Sequence, residues 1–164
     1  MSARAIQVAL APVLLAAAAA AAAAAVATAA PQGGAKCLLD YSSDDQMYEL
    51  IRHEGLTFNG RDRLCRVLVA NKLELDISNG SGVLAERAYG WVHVAFRSKA
   101  TGVRGTAART AITLSLTLTS PEAKAAMYDA LLLALERIAE TPDDYALSVA
   151  TEEARLRRAL LAKP

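Results

Sequence analysis

The chain has 164 residues, 54% of them hydrophobic, with 18 lysines and arginines against 17 aspartates and glutamates. Such a balance excludes the general mode of nucleic-acid binding, which depends on neutralising many phosphates. The two cysteines lie 28 positions apart and lack the closely spaced Cys or His partners that a thiolate metal site needs.

The first thirty residues do not read as fold. Arg4 precedes an almost unbroken apolar run, and Ala27-Thr28-Ala29 then fits a small-residue cleavage site followed by a polar, Gly-containing stretch. This is the three-part layout of a secretory signal peptide. The rival is an uncleaved anchor, because residues 5–30 are long enough to cross a bilayer. Much of the run is weakly apolar alanine, however, and its strongly apolar part is confined to Val8–Leu15. Cys37 follows Gly34-Ala35-Lys36, which does not make a lipidation box. Residues 1–29 are therefore predicted to be a cleavable signal, 30–36 a linker, and 37–164 a single domain. Loss of Arg4 with the signal balances the remaining cations and anions. No later segment is apolar enough to cross a membrane, so the expected location is the periplasm or the extracellular space. In an oxidising compartment, Cys37 and Cys65 are expected to form a structural disulfide.

Along the domain, Ser43-Asp44-Asp45-Gln46 resembles a capping box with Ser43 at N-cap. A helix from Asp44 to Glu54 follows, ended by Gly55. Residues 61–70 suit a helix through Leu64, Val67 and Leu68, or a strand through Cys65, Val67 and Val69. From Leu73 the period is two, with Leu73, Leu75 and Ile77 on one side and Glu74 and Asp76 on the other. Asn79-Gly80-Ser81-Gly82 reads as a hairpin turn. A second strand spans about Ala88 to Arg97, and Lys99-Ala100-Thr101-Gly102 turns the chain again. The third strand alternates most regularly, with Ile112, Leu114, Leu116 and Leu118 expected to face the core and Thr113, Ser115, Thr117 and Thr119 to face away. Ser120-Pro121 opens a helix whose stripe is Met127, Ala130, Leu131, Ala134 and Ile138. A last helix starts at Pro142 or at Thr151 and reaches Leu161. The predicted fold class is α+β: a small antiparallel meander of about three to four strands covered on one face by helices, with a C-terminal αα-hairpin.

Few motifs carry chemistry. Gly80-Ser81-Gly82-Val83-Leu84-Ala85 matches a dinucleotide-binding turn in letters, but the next strand follows too soon for the required crossover helix. Asn79-Gly80-Ser81 is also a glycosylation sequon. His53-Glu54 begins like a zinc-protease helix, but Thr57 stands where the second histidine belongs. His53 is instead expected to pair with Glu49. Alternation sets His93 with Trp91 and Ala95, opposite the core set Val92, Val94 and Phe96. No motif supplies an orienting carboxylate and a nucleophile for His93. No catalytic, cofactor-binding or metal-ligating residues are predicted.

Two features point to a partner. No acidic residue occurs between Glu86 and Glu122, whereas Arg97, Lys99, Arg104 and Arg109 spread through the second hairpin. Such asymmetry attracts an acidic protein or an anionic envelope component, although edge strands also carry cations simply to avoid pairing. Leu132 and Leu133 lie near the wet side of the helix after Ser120, which suggests either cover by the last helix or a homodimer seam. The leading expectation is an exported, non-enzymatic interaction protein: an inhibitor, immunity-type protein or assembly factor. It would bind through Arg97, Lys99, Arg104 and Arg109, with Trp91 and His93 adjoining. The alternatives are a small-ligand or lipid carrier, with the leucine-rich strand and Leu131–Leu135 lining a pocket, and a hydrolase using His93 or His53 as base.

Overall fold

A computed structural model describes residues 37–84 and 86–162. The predicted signal peptide, its cleavage site and the linker lie outside the described residues, as do Ala85 and residues 163–164. The chain folds as β1 (Tyr41–Ser42), α1 (Asp45–Glu54), α2 (Arg61–Asn71), β2 (Leu73–Leu84), β3 (Arg87–Ser98), β4 (Arg104–Ser115), α3 (Ser120–Glu140) and α4 (Pro142–Leu161). The sheet order is β1-β2-β3-β4, with β1 parallel to β2 and the other pairs antiparallel. The α+β class and helix-covered meander are as expected, and the short parallel β1 is added to them.

Helix starts follow local chemistry, displaced by one residue from expectation. Asp44, not Ser43, caps α1: its carboxylate accepts from the Met47 N–H at 2.8 Å. A carboxylate is the stronger acceptor and also complements the helix dipole. Gly55 ends α1 at φ 79°, donating its N–H to the Ile51 carbonyl. Residues 61–71 resolve as a helix, because Leu64, Cys65 and Leu68 form one buried stripe. Thr119, not Ser120, caps α3, accepting from the Glu122 N–H at 3.3 Å. The expected stripe of α3 is buried throughout. Only Thr141 separates α3 from α4, which begins at Pro142 and packs on β4 and α2.

Cys37 is bridged to Cys65, with 6.2 Å between their Cα atoms. Arg61 donates to the Cys37 carbonyl at 2.8 Å, so the segment entering the domain is held to α2 by both a covalent and a polar contact.

The strands differ from expectation in two ways. First, Asn79–Gly82 is not a turn: β2 runs on to Leu84, and β3 resumes at Arg87. The two glycines sit opposite the large aromatics, Gly80 against Trp91 and Gly82 against Tyr89. A Cβ on Gly80 would lie 2.6 Å from Trp91 Nε1, and one on Gly82 would lie 3.0 Å from Tyr89 Oη. The glycines thus make room for rings lying over β2, a cross-strand device that keeps a glycine-containing strand paired. The Asn79 amide turns toward the helices and donates to Asp44 at 2.9 Å.

Second, β4 is inverted. Ile112 is 63% exposed and Leu114 56%, while Leu116 and Leu118, beyond the strand end, are 79% and 50% exposed. The inward positions of β4 include the small residues Gly105, Ala111, Thr113 and Ser115, and the one large inward residue, Arg109, is exposed. The reason is proximity. α3 crosses so close to β3 that a Cβ on Gly90 would overlap the Met127 backbone and lie 2.6 Å from the Ala126 carbonyl carbon. α3 presents Ala123, Ala126, Ala130 and Ala134 at this seam. Beneath such a short interlayer gap only small side chains fit, and the large ones turn outward.

The core lies between helices and sheet, built from Met47, Leu64, Leu75, Val92, Val94, Phe96, Met127, Leu131, Leu135 and Ile138, all fully buried. Tyr145 of α4 tilts against Phe96 with ring centroids 5.4 Å apart. Further along α4, Glu153 accepts from the Thr101 hydroxyl at 2.5 Å. Hydrogen bonds from Thr101 and Ser98 hold its carboxyl below the usual range. This tie between α4 and the β3–β4 turn is therefore complete above the ordinary glutamate pKa and lost as pH falls through the lowered one.

Candidate functional site on the open face of the sheet

Alternation along three paired strands decides what the uncovered face carries. Register sets Gly82, Tyr89 and Leu114 in one row, then Gly80, Trp91 and Ile112, then Ser78, His93 and Thr110, then Asp76, Ala95 and Ala108. One end of the face is thus aromatic and aliphatic. Leu84, Glu86, Arg87, Tyr89, Ile112 and Leu114 line an open groove there of about 400 Å³. The other end is charged.

His93 is the boundary between the two. Its Nδ1 lies 2.9 Å from Thr110 Oγ1, and this is its polar contact among the described residues. The carboxylates of the same face are engaged elsewhere: Glu74 accepts from Arg97 at 2.8 and 2.5 Å, and Asp76 lies 3.2 Å from Arg104. The imidazole is therefore oriented by a hydroxyl, with no carboxylate behind it to complete a base-nucleophile relay. With Trp91 and Thr110 beside it, the ring presents an apolar body and a polar tip on the open face.

The four hairpin cations do not form one free patch. Arg97 and Arg104 pair across strands as above, and Lys99 pairs with Asp40. Arg109 lies on the opposite, helix-facing side of β4, level with Val94, and joins no ion pair among the described residues. The acids Glu74 and Asp76 on β2 answer a charge asymmetry that is visible only when β3 and β4 are read alone. His53 is also placed differently from expectation: it is exposed with Nδ1 2.9 Å from the Glu54 carboxylate, and Glu49 pairs with Arg52. Among the described residues no three His, Cys, Asp or Glu side chains gather closely enough to hold a metal ion. No described helix is long and apolar enough to cross a membrane.

Leu133 is exposed and Leu132 half-buried. Leu133 borders a groove between α2 and α3, lined also by Arg63, Glu136 and Arg137. Sequence reasoning missed Tyr89, Ile112 and Leu114 as surface residues. The available signal was steric: glycines at 80, 82 and 90, and the small inward residues Ala111, Thr113 and Ser115 in the half of β4 that carries Ile112 and Leu114.

No family model matches the chain, and no curated protein matches it. Two solved structures align in part. One is a candidate lipoprotein of Caulobacter crescentus, 18% identical, with 57% of this chain and 86% of that chain covered at a TM-score of 0.27. The other is a minor lipoprotein of Acinetobacter baumannii, 12% identical, with 62% and 85% covered at a TM-score of 0.26. Overlap at this level carries no argument about what this chain does.

Proposed function

We propose that this is an exported, non-enzymatic interaction protein that binds a protein partner of the envelope or extracellular space through the open face of its sheet. Tyr89, Trp91, Ile112 and Leu114 form the apolar centre of contact. His93, Arg97 and Arg104 supply the polar border, with Lys99 at the adjoining turn. The observation that carries the reading is the outward turn of β4, which leaves large apolar side chains beside the chain's single tryptophan on an uncovered face. Interfaces gather this composition at their centre and place paired charges at the rim. Export is supported by the N-terminal sequence and is in keeping with the Cys37–Cys65 bridge.

The carrier alternative finds less support. Leu131 and Leu135 are wholly buried against other core side chains, and the leucine-rich strand turns away from the interior. The groove beside Leu133 has a charged rim, which is a poor seam for a homodimer.

The test compares capture of partners from the native host by the tagged mature protein and by an Ile112→Asp/Leu114→Asp variant. Both sites are exposed, so the variant is expected to stay folded while losing about 1 kcal/mol per site in strand propensity and cross-strand contact, and the captured partner falls at least about tenfold. Undiminished capture by this variant would refute the open-face contact. Capture lost instead on changing Arg97, Lys99, Arg104 and Arg109 to Ser would place the contact on the hairpin cations.

A further inference from the structure

β4 ends one side of the sheet, and its outer backbone groups have no partner strand among the described residues. The opposite side is blunted, because β1 covers part of β2 and the Asp40–Lys99 ion pair ties the adjoining segment down. An open 12-residue strand is a template for another strand unless charge, proline or a bulge protects it. In β4 that protection is confined to the hairpin half, where Arg104 and a register shift near Ala95–Arg97 interrupt the pattern. From Thr110 to Ser115 there is no charge, proline or glycine.

We infer that this half of β4 pairs antiparallel with the same segment of a second copy, about a two-fold axis at Ile112. Charge selects the occupant and the register. Arg109 and Glu122 join no ion pair among the described residues, and the Glu122 carboxylate accepts from the Ser115 hydroxyl at 3.4 Å. A ladder centred on Ile112 sets Arg109 opposite Ser115 of the second copy, on the same helix-facing side. Each Arg109 thereby reaches the Glu122 carboxylate across the seam, twice by symmetry. On the other face Thr110 meets Leu114, and Ile112 meets its own image. An axis at Arg109 would set two guanidinium groups together, which disfavours that register.

Pairing between two β4 edges closes on itself, whereas β4-to-β2 pairing would propagate. A seven-residue ladder is about 24 Å long and buries less than the roughly 800 Å² per partner of a standard interface. The dimer is therefore weak, with Kd in the micromolar range. The inference goes beyond the partner-binding reading and does not depend on it: edge pairing leaves both open faces uncovered and joins them side by side, a bivalent surface.

Sedimentation equilibrium of the mature, disulfide-bridged protein tests this. The expected result is a reversible monomer–dimer equilibrium that Arg109→Glu and Glu122→Arg each weaken at least about tenfold, and that the double charge swap restores. Circular dichroism checks that each variant is folded. A protein monomeric up to about 500 µM, far above the micromolar Kd expected for so small an interface, overturns the inference. So does a dimer indifferent to both charge changes. Independently of those variants, Ile112→Cys should form an intermolecular disulfide on mild oxidation and Thr106→Cys should not; failure of the first where the wild type is dimeric overturns the proposed axis. Leu133→Ser should leave association unchanged, and weakening by it would assign the dimer to the groove beside Leu133 instead.

Discussion

Replacing Gly90 with alanine is expected to destabilise the protein by about 3 kcal/mol or more, although the change adds only one methyl group. In an ordinary strand the same substitution is mildly favourable, because glycine weakens strands and alanine restricts the unfolded chain. Here the sign reverses, since the new Cβ would meet the backbone of Met127 and Ala126 and not a side chain that can rotate away. Relief requires α3 to lift from the sheet. That movement would loosen Met127, Ala130, Leu131 and Ala134, all fully buried at this seam. Urea titration at constant slope, or a fall in Tm of roughly 10 °C, would register the effect. A Gly90→Ala protein as stable as the wild type would show that the close approach of α3 to β3 is not maintained in solution.

Opening the Cys37–Cys65 bridge ranks next. Chain-entropy bookkeeping for a loop of this length gives about 3.5 kcal/mol, a large share of the 5–15 kcal/mol typical of whole domains. The bridge spans 28 positions and encloses α1, so its loss frees the entering segment, β1 and the first helix together. Leu39 and Arg61 keep some hold on that segment through burial and the bond to the Cys37 carbonyl. A Cys37→Ser/Cys65→Ala variant, or the reduced wild type, is expected to unfold at clearly lower denaturant concentration. Amide exchange should rise most in 37–54. Identical midpoints with and without reductant would show that the remaining contacts suffice.

α1, α3 and α4 were legible because their signals are local, whereas residues 61–70 fitted helix and strand alike until Leu64, Cys65 and Leu68 proved to share one buried stripe. Asp44, Gly55, Thr119 and Pro142 act on backbone groups within one turn, and choosing between neighbouring caps shifts a boundary by a single residue. The buried stripes of α1 and α3 follow from a period that only one arrangement satisfies. Strand alternation is different in kind: it fixes which residues share a side but not which side is covered. In β2 and β3 the charged residues Glu74, Asp76 and Arg97 broke that tie. In β4 the choice lay between leucines and threonines, and the ordinary preference for burying leucine gave the wrong answer. What decided it was the space left by a helix whose distance is set by Gly90, a contact between residues far apart in sequence. The same long-range geometry hid the candidate site. Cations at 97, 99 and 104 looked unopposed until folding brought Glu74, Asp76 and Asp40 beside them.

The pairing of Gly80 with Trp91, and of Gly82 with Tyr89, has a consequence for how this chain can diverge. Each glycine is a vacancy shaped by the ring above it, so neither member of a pair can drift alone. A side chain at 80 or 82 would displace an aromatic ring, and a shrunken residue at 91 or 89 would leave bare glycine backbone facing water. Descendants of this sequence are therefore expected to keep or to exchange these partners together, small with large. A lineage in which 80 has gained a side chain while 91 remains tryptophan would be evidence that the two strands have slipped.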